Sequence, residues 1–159
     1  MRDLKGKNAI VTGGSKGIGK SVCLGLANAG ANVYILDIDK HEGLKTVKEV
    51  SELGVETDFY QINVANEIEW IDFSNFLKNK KILVDILVNN AGIWIGKDID
   101  NVSLEEYQKL ISINLTGVFL GIKHLVPLLS EAGEKTKFGS TIINLSSVAG
   151  LVGSQLDPL

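Results

Sequence analysis

The sequence predicts a doubly wound α/β fold built on a parallel sheet. Three observations carry this. Short β-rich runs alternate with amphipathic runs along the chain. The strand candidates are apolar on both faces, as strands covered by helices on two sides must be. Capping pairs recur at the start of the intervening segments: Asp39 with Glu42, Asn66 with Glu69, and Ser103 with Glu106.

Asn8 to Thr12 reads as the first strand, and Gly17 to Ala29 as a helix closed by Gly30. Asn32 to Asp37 is the second strand, followed by a helix that Asp39 caps and Gly54 ends. Thr57 to Asn63 is the third strand. In the helix after it, Trp70, Phe73 and Leu77 fall on one face. Ile86 to Asn89 is the fourth strand. Ser103 then starts a helix carrying Leu104, Tyr107, Leu110 and Ile111. Thr116 to Ser130 is a further helix that Pro127 is expected to interrupt, and Ser140 to Leu145 is the fifth strand. Right-handed crossovers wind such a chain into a sheet whose ligands lie outside the carboxyl ends of its strands.

The 159 residues suffice for one domain, 1–159, and are too few for two ordinary ones. Hydrophobic residues at 45% and charged residues at 22% are ordinary for a globular protein. A net charge of −3, from 16 basic against 19 acidic side chains, argues against nucleic acid or an anionic membrane as partner. No unbroken apolar run reaches the roughly 18–20 residues that cross a bilayer. The polar start, Met1 to Lys7, lacks the pattern of a signal peptide. Cys23 is the lone cysteine, which excludes an internal disulfide and points to the reducing cytoplasm.

The first strand runs into Thr12-Gly13-Gly14-Ser15-Lys16-Gly17-Ile18-Gly19. Residues without a Cβ let a backbone turn tightly and let a pyrophosphate approach it. The helix that follows directs free N–H groups and its positive dipole end at that group. A glycine-rich stretch alone is an ordinary turn. Between a strand and a helix, and followed by Asp37 at the end of the second strand, it reads as a dinucleotide site. Asp37, 18 positions after Gly19, suits the hydroxyls of an adenosine ribose and would repel a 2′-phosphate. Lys16 pulls the other way, since a cation in the turn could pair with that phosphate. A carboxylate facing a dianion is the more costly encounter, so NAD is favoured over NADP.

The glycine spacing, together with Asn89-Asn90-Ala91-Gly92 after the fourth strand, resembles the short-chain dehydrogenase/reductase family. Ile113-Asn114-Leu115-Thr116-Gly117-Val118-Phe119 and Ile142-Ile143-Asn144-Leu145-Ser146-Ser147-Val148-Ala149-Gly150 look like two more of its motifs, in the right order. The resemblance covers nearly the whole chain and implies a Rossmann-type sheet, truncated after the fifth strand relative to the family. It implies cofactor contacts from Thr12, Gly13, Ser15, Lys16, Gly17, Ile18 and Gly19, and a ribose contact from Asp37. Asn63 and Val64 stand where the family has an aspartate for the adenine amino group; Asn keeps a carbonyl acceptor. Asn90, Ala91 and Gly92 would line the cofactor and steady the central strand. Asn114 would hold a helix irregularity and a relay water, and Ser147, rather than Ser146, would bind the substrate oxygen.

The family's catalytic base is the tyrosine of a Tyr-x-x-x-Lys motif, which would begin at the residue after Leu159. The 12 residues Val148 to Leu159 follow Ser147, and none of Tyr34, Tyr60 and Tyr107 lies in such a motif. Besides a truncated reading frame with no function of its own, two readings stay open. One is an oxidoreductase moving a hydride between NAD(H) and a secondary alcohol or ketone, a homo-oligomer acting on a small molecule. The other is an NAD(H)-binding fragment or pseudoenzyme without turnover. No metal site is expected: His41 stands solvated at an exposed helix start, and His124 has no Cys, His or carboxylate at ligand spacing. Trp94 either borders the substrate mouth or covers the core. Cys23 is expected to be packed and unreactive, and Lys78, Lys80 and Lys81 to form a solvated helix end.

Overall fold

A computed structural model describes residues 4–152. β1 (Asn8–Thr12), β2 (Asn32–Asp37), β3 (Thr57–Gln61), β4 (Ile86–Asn89) and β5 (Thr141–Asn144) form one sheet in the order β3-β2-β1-β4-β5. Every neighbouring pair is parallel, with Ile10 opposite Tyr34 on one side and Leu87 on the other. The connecting helices are α1 (Gly17–Asn28), α2 (Lys40–Ser51), α3 (Glu67–Asn79), α4 (Leu104–Ile111) and α5 (Gly117–Glu134).

The pleat sorts successive residues on to opposite faces. Ile10, Leu36 and Leu87 face α3 and α5, where they meet Trp70, Phe73, Leu77, Leu125 and Leu129. Val11, Val33, Ile35 and Val88 face α1 and α2 and meet Cys23, Ala27 and Val50. The chain leaves β1 for β2 on one side and reaches β4 and β5 on the other. Strand order therefore reverses between β1 and β4, and a crevice opens at their carboxyl ends.

Several boundaries differ from the sequence expectation. β3 stops at Gln61 instead of Asn63. After Ile62 donates to Asp37 (3.0 Å), Asn63 turns away: its N–H donates to Glu69 Oε2 (2.6 Å) and its Oδ1 accepts from Ala65 N–H (3.1 Å). β5 is shorter at both ends than Ser140 to Leu145, although Leu145 N–H still reaches the Asn89 carbonyl (2.9 Å).

α4 and α5 are one continuous helix, joined by a π turn at Ser112–Thr116, and α5 runs through Pro127 to Glu134. Pro127 and Lys123 both lie on the exposed side of α5, so the carbonyl a proline leaves without an intrahelical partner is on the solvent side. On α4 only Leu110 is buried; Leu104 is 70% and Tyr107 43% exposed. The joined helix, Leu104–Glu134, is long and apolar enough to cross a membrane by length and composition, with a mean hydropathy of 1.4 over its most apolar stretch. Here Leu120, Leu125, Leu128, Leu129 and Ala132 pack it against the core.

Candidate functional site

The glycine turn is stitched to the exit of β4. Thr12 Oγ1 accepts from the backbone N–H groups of Asn90 and Ala91, each at 3.0 Å. Asn90 Nδ2 donates back to the carbonyls of Thr12 (2.9 Å) and Gly13 (3.0 Å). The two segments on either side of the crevice are thus locked together at the point where strand order reverses. Gly19 packs so closely that a Cβ would overlap the Gly13 carbonyl oxygen. Gly17 is left-handed (φ 57°) and faces open space, with nothing within 4 Å of where a Cβ would stand. Backbone therefore approaches the open side of the turn without a side chain in the way, as a phosphate cradle requires.

Asp37 ends β2 at the rim of the same crevice. Its Oδ2 accepts from Ser15 N–H and its Oδ1 from Asp39 N–H, each at 3.0 Å. Each oxygen keeps further lone-pair capacity for hydroxyl donors. Ser15 is buried beneath, its Oγ donating to the Asp39 carbonyl (3.3 Å) and its own carbonyl accepting from Thr46 Oγ1 (2.8 Å). Asp39 caps α2 by accepting from Glu42 N–H (3.2 Å), and its Oδ2 lies 3.6 Å from Lys16 Nζ. The Glu42 N–H, and then the Lys16 ammonium, hold its carboxyl below the usual range.

A cavity of about 520 Å³ occupies the crevice. At one end it is bounded by Asp37, Asn63 and Val64, with Lys16 beside them. Gly13, Ile18 and Gly19 line its waist, and Asn90, Ala91 and Gly92 its far side. Thr12, Ser15 and Gly17, also expected to contact the cofactor, do not line it: Thr12 and Ser15 are buried beneath the turn.

Five lining residues escaped the sequence reading: Ile38, Asp39, Ile62, Ile93 and Ile113. All five stand within two positions of residues that were named, and a wider window around Asp37, Asn63, Gly92 and Asn114 finds them. Ile113 opens the motif that holds Asn114, and the path of the long helix brings it to the cavity.

Asn114 sits in the π turn and bonds the backbone of Ile93 in both directions (2.8 and 2.9 Å). Ser147 follows β5 and caps a short 3₁₀ turn, accepting from Ala149 N–H (3.2 Å). It lies outside the lining of the cavity. The exits of β4 and β5 are tied by Asn89 Nδ2, which donates to Asn144 Oδ1 (2.8 Å). Trp94 is 71% exposed on the loop beyond Gly92, its ring against Gly96, so it does not cover the core.

Burial pushes the Tyr34 and Tyr60 hydroxyls above their ordinary pKa, the reverse of what a proton-transferring tyrosine needs. Burial also pushes the Cys23 thiol up to about 12. His124 Nε2 lies 3.0 Å from Glu67 Oε1, which also accepts from Lys123 (2.6 Å). Among the described residues no three His, Cys, Asp or Glu side chains are placed to share a metal ion.

The profile of the short chain dehydrogenase family matches residues 7–158. Cyclopentanol dehydrogenase of Comamonas sp. is 34% identical over 154 residues, covering 97% of this chain and 60% of that protein. The NADP-dependent (R)-specific alcohol dehydrogenase of Lentilactobacillus kefiri is 36% identical over 150 residues, 94% of this chain and 58% of that one. The crystal structure of an NAD⁺-bound xylitol dehydrogenase superposes with a TM-score of 0.88 at 26% identity, covering 97% of this chain and 58% of its own. The chain spans about 60% of the length of the curated relatives it matches. Proteins of this family are oxidoreductases that bind nicotinamide cofactors. On this match and on its sheet and motifs, the chain belongs to the short-chain dehydrogenase/reductase family.

Proposed function

We propose that this chain supplies the cofactor half of an NAD(H)-dependent oxidoreductase that interconverts a secondary alcohol and a ketone. The observation that carries the cofactor assignment is Asp37, a carboxylate held by two backbone N–H groups at the rim of the cavity. Fixed there, it offers acceptors to two ribose hydroxyls and an uncompensated charge to a 2′-phosphate. The open side of the turn at Gly17 and the free N–H groups of α1 suit a pyrophosphate. Asn63 and Val64 would meet the adenine; Asn90, Ala91 and Gly92 would flank the nicotinamide end.

When bound, a nicotinamide supplies or accepts the hydride. Ser147 would hold the substrate oxygen by hydrogen bonding, and Asn114 would keep a proton path beside it. These 159 residues contain no Tyr-x-x-x-Lys, and Tyr34 and Tyr60 are tuned away from proton transfer. A polypeptide of these residues alone is therefore expected to bind the dinucleotide without turning over substrate. The names of the relatives, cyclopentanol and (R)-specific alcohol dehydrogenases, favour a secondary alcohol as the small-molecule partner.

Calorimetric titration with NAD(H) and NADP(H) tests this. The expected result is tighter binding of NAD(H), with the gap narrowed by Asp37→Ala. Equal affinity in the unmutated protein overturns the assignment of NAD.

A further inference from the structure

Lys16 is the residue most at odds with a preference for NAD. It precedes Gly17, lines the cavity, and carries a side chain that is 73% exposed. An ammonium there is free to swing towards a 2′-phosphate. Nearby lysines are engaged elsewhere: Lys20 with Glu49 and Lys45 with Glu42, each at 2.7 Å.

We propose that Asp39 is a second determinant of dinucleotide choice, holding and neutralising Lys16 so that it does not serve a 2′-phosphate. This rests on the dinucleotide reading of the cavity and goes beyond the role of Asp37. Asp39 is fixed independently of Lys16. Its N–H donates to Asp37 Oδ1, its carbonyl accepts from Ser15 Oγ, and its Oδ1 caps α2 by accepting from Glu42 N–H. Only Oδ2 remains, and Lys16 Nζ lies 3.6 Å from it. A mobile cation thus meets an immobile carboxylate.

An exposed pair of this kind contributes little to stability. Its effect is on local charge. Asp37, Asp39 and Lys16 together present one net negative charge to an entering phosphate dianion. Removing Asp37 alone leaves Lys16 neutralised by Asp39. The structure therefore accounts for a lysine in the glycine turn without making it a phosphate ligand.

The test is a double-mutant cycle on the whole protein, read by calorimetric titration with NAD⁺ and NADP⁺. Asp39→Asn keeps the cap, since Asn caps a helix as well as Asp does, and removes the charge. Asp39→Ser, another good cap, is the second variant in case an amide repositions Lys16. Thermal melts confirm that each variant is folded. The expected result is NADP⁺ binding tightened roughly threefold to tenfold relative to any change in NAD⁺ binding. In a Lys16→Met background, at least about half of the NADP⁺ gain (in free energy) should vanish, because the freed lysine carries it. An undiminished gain in that background, no gain at all, or equal gains for both dinucleotides overturn the role of Asp39. Failure of the unmutated protein to bind either dinucleotide overturns the reading of the cavity, and this inference with it.

Discussion

The side-chain amide of Asn114 pairs in both directions with the backbone of Ile93. Its Oδ1 accepts from Ile93 N–H (2.8 Å) and its Nδ2 donates to the Ile93 carbonyl (2.9 Å). The π turn of the long helix is thereby clamped to the loop that lines the cavity beyond Gly92. Only an amide carries a donor and an acceptor in that geometry. Asn114→Ala should lower stability by about 1–2 kcal/mol. Asn114→Asp should be no better at neutral pH, because a carboxylate oxygen then faces the Ile93 carbonyl. Urea denaturation measures both, and unchanged midpoints would show that the clamp carries no stability.

The glycines of the turn should separate into two kinds. Gly19→Ala forces a Cβ into the Gly13 carbonyl and against Asn90, both backbone-anchored, and should cost ~3 kcal/mol or more. Gly17→Ala meets no atom and should cost only the left-handed backbone penalty of about 1–2 kcal/mol. Thermal melts of the two variants side by side give the ranking. A Gly17 variant as damaged as the Gly19 variant would contradict it.

Cys23 should be inert in the native state. Its thiol is fully buried between α1 and the sheet, and burial raises its pKa to about 12. A group raised in this way contributes its stability in full below its ordinary value near 9, and loses it as pH climbs towards about 12. An aromatic disulfide reagent at neutral pH should label it only at the rate of unfolding, and at once in denaturant. Fast native labelling would mean the site opens far more readily than its packing implies.

Glu106 should remain ionised well into acid. A side-chain bond from Lys97, and then the Ser103 backbone N–H of the capping box, lower its pKa to about 2. A depressed carboxyl contributes above its ordinary value of 4.5 and loses that contribution as pH falls towards about 2. Carboxyl NMR titration should place the midpoint there, and Lys97→Met should raise it. A midpoint near the ordinary value in the unmutated protein would contradict the pairing.

The outer side of β5 has no strand beside it among the described residues, and Ile142 and Ile143 are 38% and 45% exposed. Such an edge invites pairing with another chain. A polypeptide of these 159 residues alone should therefore self-associate or melt broadly. A monodisperse monomer by light scattering, with a sharp cooperative melt, would show the edge to be protected.

Much of this was legible in the residues. The Ile10–Val11 alternation with apolar side chains on both faces can be satisfied only by helices on both sides of a sheet, and the clusters around each residue show that arrangement. Asp39, Asn66 and Ser103 do cap their helices. Glycine spacing and Asp37 located the crevice because those residues act through their own backbone and charge. The end of β3 was misread because Asn63 gives up the strand for Glu69, a partner six positions on. Ile113 was named only as part of a motif and not as a lining residue, because no local pattern tells which side of a long helix meets a cavity.

The sequence by itself determined the layers and the glycine turn after the first strand. These follow from period, capping and the absence of a Cβ, all properties of a few adjacent residues. Only the tertiary structure decided that α4 and α5 are one helix, that Asn114 clasps Ile93, and that Lys16 is taken by Asp39. The two side-chain contacts join partners 21 and 23 positions apart, and the helix stays continuous through a π turn at Ser112–Thr116 whose Asn114 bonds Ile93. Such contacts exist only once the sheet has brought distant segments to one edge, and a residue's local propensity carries no record of them.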